Sequence, residues 1–195
     1  MEVSEKTRTG LLNGSFNPVH IGHLIIAHYL LLHSDLREIW FVISPHNPLK
    51  NLSELLPEET RLAMLKLAID DQPGFFICER ELKMERPSYT FKTLETLRIE
   101  NPDRDFVLII GSDNLEVFSQ WKDYDKILTS TDIYVYPRKD RKGGYFTKHP
   151  RVRLFDAPLI EISSEYIRCE FSEGRKPRYM LPYKVFRLIL EKKLL

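Results

Sequence analysis

The chain of 195 residues carries 29 lysines and arginines against 28 aspartates and glutamates, a net charge of +1, with 43% hydrophobic residues. That is enough apolar content for one core-bearing domain, and the even charge excludes a global field for nucleic acid or an anionic membrane surface, so any polyanion must be met by local charge. The charged Met1–Lys6 start, an apolar run of only Leu24–Leu32 interrupted by His28, and two isolated cysteines, Cys78 and Cys169, point away from a secretory leader, a membrane span of about 20 residues and a disulfide framework, and toward a reducing cytoplasm.

In chain order, the first signal is Thr9 to His23. A short apolar strand around Leu11–Leu12 runs into a turn containing Gly14, Ser15 and Phe16, and a helix is predicted over His20–His33. Histidines at i and i+3 share a helix face, so His20 and His23 can address one ligand, while Gly22 allows close approach and the helix start adds N–H groups suited to phosphate. Imidazole is also a zinc ligand, but the cysteines are few and distant and no glutamate lies between the histidines, so no protein-bound metal centre is expected.

Further strands are predicted at Ile39–Ile43, Phe75–Cys78, Phe106–Ile110, Ile133–Tyr136 and Val152–Phe155, being short and rich in β-branched or aromatic residues. Helical spacing appears over Pro57–Ile69, Thr90–Glu100 and, in broken form, Leu115–Leu128. Near the end, Ser164–Phe171 reads as a short helix, and Tyr183–Leu194 as an amphipathic one entered at Pro182. The basic, glycine-bearing Pro137–Pro150 segment reads as a mobile loop able to close over a ligand. This alternation predicts an α/β, Rossmann-like open parallel sheet with helices on both faces and a short C-terminal helical portion from about residue 163, all in one domain.

In such sheets ligands lie at the carboxyl ends of the strands, where Gly14–Ser15, Ser44–Lys50 and Gly111–Asp113 all fall. Gly111 permits close backbone approach, and Asp113 can accept hydrogen bonds from vicinal hydroxyls or simply cap a helix. Ser163 and Ser164 cap the late helix, with Arg168 four residues after Ser164 on the same face. That terminus can hold polyphosphate, or be an ordinary cap beside a surface arginine. Lys50 and Arg138 read equally well as phosphate ligands and as solvated loop residues.

His20-Ile21-Gly22-His23 and Ser163-Ser164-Glu165-Tyr166-Ile167-Arg168 together resemble the HIGH-type nucleotidyltransferase superfamily, with its His-x-Gly-His and Ser-Ser-x-x-x-Arg elements. The chain is too short for class I aminoacyl-tRNA synthetases, which share only the first element. Glu79-Arg80-Glu81-Leu82 with Pro87-Ser88-Tyr89-Thr90, then Ile110-Gly111-Ser112-Asp113, then Phe118-Ser119-Gln120-Trp121 resemble the bacterial nicotinate-mononucleotide adenylyltransferases in particular. Glu165 departs from the serine or threonine usual there.

The resemblance implies an enzyme that transfers AMP from ATP to nicotinate mononucleotide, with Mg²⁺ accompanying ATP. His20 and His23 would donate to phosphates, helped by the Gly14-Ser15-Phe16 backbone. Gly111 and Asp113 would serve ATP, while Ser163, Ser164 and Arg168 would hold the outgoing pyrophosphate. Lys50, Ser88, Tyr89, Thr90, Trp121 and Arg138 fall to the mononucleotide, with Trp121 stacking on the pyridine ring. Nucleic acid and membrane partners are not implied, and a homo-oligomer is left open. The rivals are a pantetheine-phosphate adenylyltransferase, a cytidylyltransferase, or a nucleotide sensor that keeps the fold without the reaction.

Overall fold

The computed structural model describes residues 6–45 and 55–195. Six parallel strands, β1 (Thr7–Gly14), β2 (Glu38–Ile43), β3 (Phe75–Cys78), β4 (Arg104–Gly111), β5 (Asp132–Tyr136) and β6 (Val152–Leu154), form one sheet in the order β3-β2-β1-β4-β5-β6. The chain winds outward from β1 to β3, returns to β4 beside β1, and winds outward again. The strand order therefore reverses between β1 and β4, and a crevice opens at their carboxyl ends.

Burial on both faces explains the unbroken apolar strands. In β4, Val107 and Ile109 join Leu12, Phe41 and Tyr134 in one core layer, while Phe106, Leu108 and Ile110 join Leu11, Val42 and Ile133 in the other. The first layer is covered by α1 (Ile21–His33), α2 (Glu58–Ile69) and α7 (Tyr183–Lys192), with Ile167 of α6 (Ser164–Ser172). The second is covered by α3 (Thr90–Glu100), α4 (Ser112–Glu116) and α5 (Tyr124–Ser130). The expected Rossmann-like fold, with helices on both faces, is the one observed.

Three local expectations change. β1 begins at Thr7 rather than near Leu11, because polar residues at its start are paired across the sheet: Arg8 Nη1 donates to Asp105 at 2.6 Å and Thr9 Oγ1 to Glu38 at 2.8 Å. The broken helical stretch resolves into α4, a 3-10 turn at Phe118–Gln120, and α5, interrupted at Asp123, whose φ is +54°. Pro137–Pro150 is not a free lid. Arg141 and the Lys142 N–H bind the Glu116 carboxylate, a 3-10 turn spans Gly144–Lys148, and Phe146 packs edge-on to Phe118. Among the described residues no helix is long and apolar enough to cross a membrane.

Candidate active site

The β1–α1 turn is built around a buried aromatic ring. Phe16 adopts a left-handed backbone (φ +48°) and drives its side chain beneath the turn, edge-on to His23 with centroids 5.1 Å apart. Gly14 makes room for it, since a β-carbon there would meet the Phe16 ring at 3.0 Å. Phe16 is thus core, and only its backbone can face a ligand.

His20 is the N-cap of α1 rather than a helical residue, with φ −139°, and His23 follows in the first turn. Their rings are stacked at 3.7 Å. The His20 N–H donates to His23 Nδ1 at 3.2 Å. A nitrogen that accepts carries no proton, so neutral His23 presents its N–H at Nε2. His20 is buried, and burial together with the Arg138 charge pushes its pKa down to about 3, so it is neutral at physiological pH. Its Nδ1 is buried without a hydrogen-bond partner among the described residues. Gly22 accommodates the ring, because a β-carbon there would lie 3.0 Å from His20 Nδ1 and from Ile160. A pocket lined by His20, His23, Ile26, Tyr136, Arg138 and Ile160 opens beside the pair.

The late segment reaches this turn. Ser163 caps α6, accepting from the Tyr166 N–H at 3.1 Å, while Ser164 Oγ donates to the Pro18 carbonyl at 2.9 Å. Arg168 Nη1 donates to the Asn17 carbonyl at 2.9 Å, three residues before His20. Residues separated by some 150 positions in the chain are thereby joined around the histidines. Glu165 is exposed in the first turn of α6.

At the exit of β4, Gly111 precedes α4, and a β-carbon there would stand 2.3 Å from Asp113 Oδ1. Asp113 half-faces solvent and lies 3.9 Å from Arg138 Nε. The Arg138 N–H donates to Ser112 Oγ at 2.9 Å, and its guanidinium lies over the Tyr136 ring. Arg138 lines the pocket beside the histidines. Among the residues expected to meet the mononucleotide, Ser88 Oγ donates to Glu81 at 3.1 Å, Tyr89 precedes α3 with Lys122 Nζ 4.4 Å above its ring, and Thr90 opens the helix. Trp121 is half-buried against Phe118, 5.3 Å between centroids, which leaves part of the indole accessible. Lys50 lies outside the described residues.

Two buried charged residues organise these loops: Arg61, not singled out from sequence, and Glu81, noted there only as a member of Glu79–Leu82. Arg61 is fully buried, and its guanidinium donates to the carbonyls of Ser15 (2.6 Å), Ser44 (2.8 Å), Leu56 (3.0 Å) and Pro45 (3.1 Å), tying the exits of β1 and β2 together. Burial pulls its pKa below the usual arginine value. A signal did exist: Arg61 falls on the i, i+3, i+4, i+7 stripe with Met64, Leu65 and Ala68, where a charge is out of place on an apolar face. Glu81, in the 3-10 turn Arg80–Lys83, accepts from Asn13, Ser44, Ser88 and Thr93. No periodic pattern betrays it.

Comparison with known proteins agrees with this architecture. The cytidylyltransferase-like family model matches residues 11–170. A Bacteroides fragilis protein named "probable nicotinate-nucleotide adenylyltransferase" is 44% identical over 186 residues, covering 95% of this chain and 92% of the relative. A protein of the same name from Azobacteroides pseudotrichonymphae is 48% identical over 184 residues, covering 94% and 96%. The solved structure of Plasmodium falciparum nicotinic acid mononucleotide adenylyltransferase complexed with NaAD superposes with a TM-score of 0.81 at 19% identity, covering 96% of this chain and 97% of that one. The chain belongs to the nicotinate-nucleotide adenylyltransferases within the cytidylyltransferase-like family.

Proposed function

We propose that this protein transfers AMP from ATP to nicotinate mononucleotide, giving deamido-NAD and pyrophosphate. The observation that carries the reading is the junction of α6 with the β1–α1 turn, where Ser164 and Arg168 bind the Pro18 and Asn17 carbonyls directly ahead of His20 and His23. One triphosphate could touch the paired imidazoles, the turn and the guanidinium together. The relatives' names and the solved structure holding NaAD support the same substrate pair.

In this reading a phosphate oxygen of the mononucleotide attacks the α-phosphorus of ATP. An O–P bond forms as the bond to the bridging α–β oxygen breaks, and pyrophosphate leaves with that electron pair. The chemistry asks for alignment and for stabilisation of charge on oxygen, with no covalent enzyme intermediate. Neutral imidazoles suit the task as donors. His23 offers Nε2–H, and the buried neutral ring of His20 stacks against it. Arg168, Ser163 and Ser164 would receive the pyrophosphate, and Asp113, beside the close backbone approach at Gly111, would accept from the ATP ribose. Ser88, Tyr89, Thr90 and Trp121 would hold the mononucleotide, with the half-exposed indole stacked on its pyridine ring. Lys50 and Arg138 would add charge for phosphate.

Mg²⁺ would arrive on ATP and neutralise its phosphates. No three His, Cys, Asp or Glu residues among those described are grouped to hold a metal ion themselves. One domain operating in the cytoplasm completes the reading, in keeping with two free cysteines. The test is ATP-dependent pyrophosphate release by the purified protein with nicotinate mononucleotide, nicotinamide mononucleotide and pantetheine phosphate as acceptors. Release with the pyridine mononucleotides is expected. Release with pantetheine phosphate alone, or with no acceptor, would contradict it.

A further inference from the structure

Glu81 is almost wholly buried, yet among the described residues no cation holds it. Its two oxygens accept from four neutral donors on four segments: Asn13 Nδ2 (3.0 Å) and Thr93 Oγ1 (3.0 Å) on Oε1, and Ser44 Oγ (2.8 Å) and Ser88 Oγ (3.1 Å) on Oε2. A carboxylate has about four lone-pair sites, so its accepting capacity is full. Every partner lies at the carboxyl end of the sheet or beside it: Asn13 ends β1, Ser44 follows β2, Ser88 precedes α3 and Thr93 is in its first turn.

An anion that only accepts dictates how its partners point. Asn13 must turn its NH₂ toward Glu81, which commits its carbonyl oxygen elsewhere. That oxygen is buried and has no partner among the described residues. Ser88 must spend its proton on Glu81, leaving its oxygen lone pairs for an incoming donor. Both residues are therefore set as acceptors, the arrangement that suits ribose hydroxyls rather than phosphate.

We propose that Glu81 is a positioning residue for the second substrate, orienting the Asn13 amide and the Ser88 hydroxyl so that they receive hydroxyl donors of the mononucleotide. This rests on the assignment of Ser88–Thr90 to that substrate. The test measures KM for each substrate separately, with thermal melting, in E81A, E81Q, E81D and T90A. E81A is expected to raise the mononucleotide KM by about tenfold or more, the effect of losing bonds to a charged group, while the ATP KM stays within about twofold. E81Q keeps the shape but turns a donor toward either the two serines or Asn13 and Thr93, inverting the polarity of one pair, and is expected to recover only part of the loss. Should E81A not fold, E81D, which withdraws the charge by one methylene, is expected to show the same substrate-selective rise.

Equal changes in both KM values that follow the melting temperature would make Glu81 merely structural and overturn the proposal. An unchanged mononucleotide KM in folded E81 variants would do the same. T90A separates the two levels. A raised mononucleotide KM in T90A without one in the E81 variants defeats the role of Glu81 alone. No rise in any variant defeats the substrate assignment, and the role of Glu81 with it.

Discussion

The two ends of the parallel sheet handle charge in opposite ways. At the amino-terminal end Arg8 and Arg104 meet anions. Arg8 binds Asp105 at 2.6 Å, Asp132 at 2.9 Å and Asp35 at 3.3 Å, and Arg104 binds Glu38 at 2.8 Å. At the carboxyl-terminal end two buried charges, Arg61 and Glu81, are held by neutral dipoles. Arg61 is bound by four carbonyls, Glu81 accepts from four neutral donors, and Arg138 lies 3.9 Å from Asp113. A charge solvated by dipoles keeps its field, whereas one beside a counter-charge is largely cancelled. A chain with a net charge of +1 can thus keep dipole-held charges where the strands end and directly paired ones at Arg8 and Arg104 where they begin.

The largest effect is expected from removing the buried guanidinium. R61A would leave the Ser15, Ser44, Pro45 and Leu56 carbonyls unsatisfied and is predicted to cost about 3–5 kcal/mol in denaturant unfolding. A loss under about 1 kcal/mol would place Arg61 among ordinary surface arginines. Next comes H23A, which should lower turnover by about 10²-fold or more through loss of a donor to the transition state, with little change in melting temperature because His23 is only part-buried. Unchanged turnover in folded protein would remove His23 from the chemistry.

A smaller effect is the pH dependence of His20. Its folded pKa, about 3, lies below the ordinary 6.5, so between these values the unfolded chain binds the extra proton. Its contribution to stability is complete above pH 6.5 and is lost as pH falls toward 3, at up to about 1.4 kcal/mol per pH unit. H20N should flatten that slope, and an identical slope in H20N would show that other groups carry it. The smallest effect belongs to the opposite end, where D105N breaks one half-exposed ion pair. It should cost at most about 1 kcal/mol and leave both KM values unchanged. A shift in either KM would erase the distinction between the two ends.

Sheet and site were legible to different depths. Apolar runs mark strands because both faces of this sheet are buried, and that carries Ile39–Ile43 and Phe75–Cys78 to the residue or nearly so. β1 is misjudged at its start, since Arg8 and Thr9 are polar residues made acceptable by partners that lie distant in sequence, Asp105 and Glu38. His20, His23 and Arg168 are visible through short fixed spacings. Arg61 shows only as a charge on an apolar helix stripe and Glu81 only as a member of Glu79–Leu82; their roles stay hidden, because what defines them is a set of partners contributed by three or four separate segments. The Pro137–Pro150 segment has the composition of a loop. Its anchoring by Glu116 and Phe146 depends on where α4 and the Phe118 turn lie, which composition does not encode.

The histidine pair, the β1–α1 turn and Arg168 together make the proposed triphosphate site. It is tested most directly by calorimetric titration of ATP and of AMP into the wild-type protein and R168M. The account predicts that ATP binding weakens by about tenfold or more, the worth of a charge-assisted phosphate contact, while AMP binding is unchanged. Equal weakening of both nucleotides, or no weakening of ATP, would contradict it.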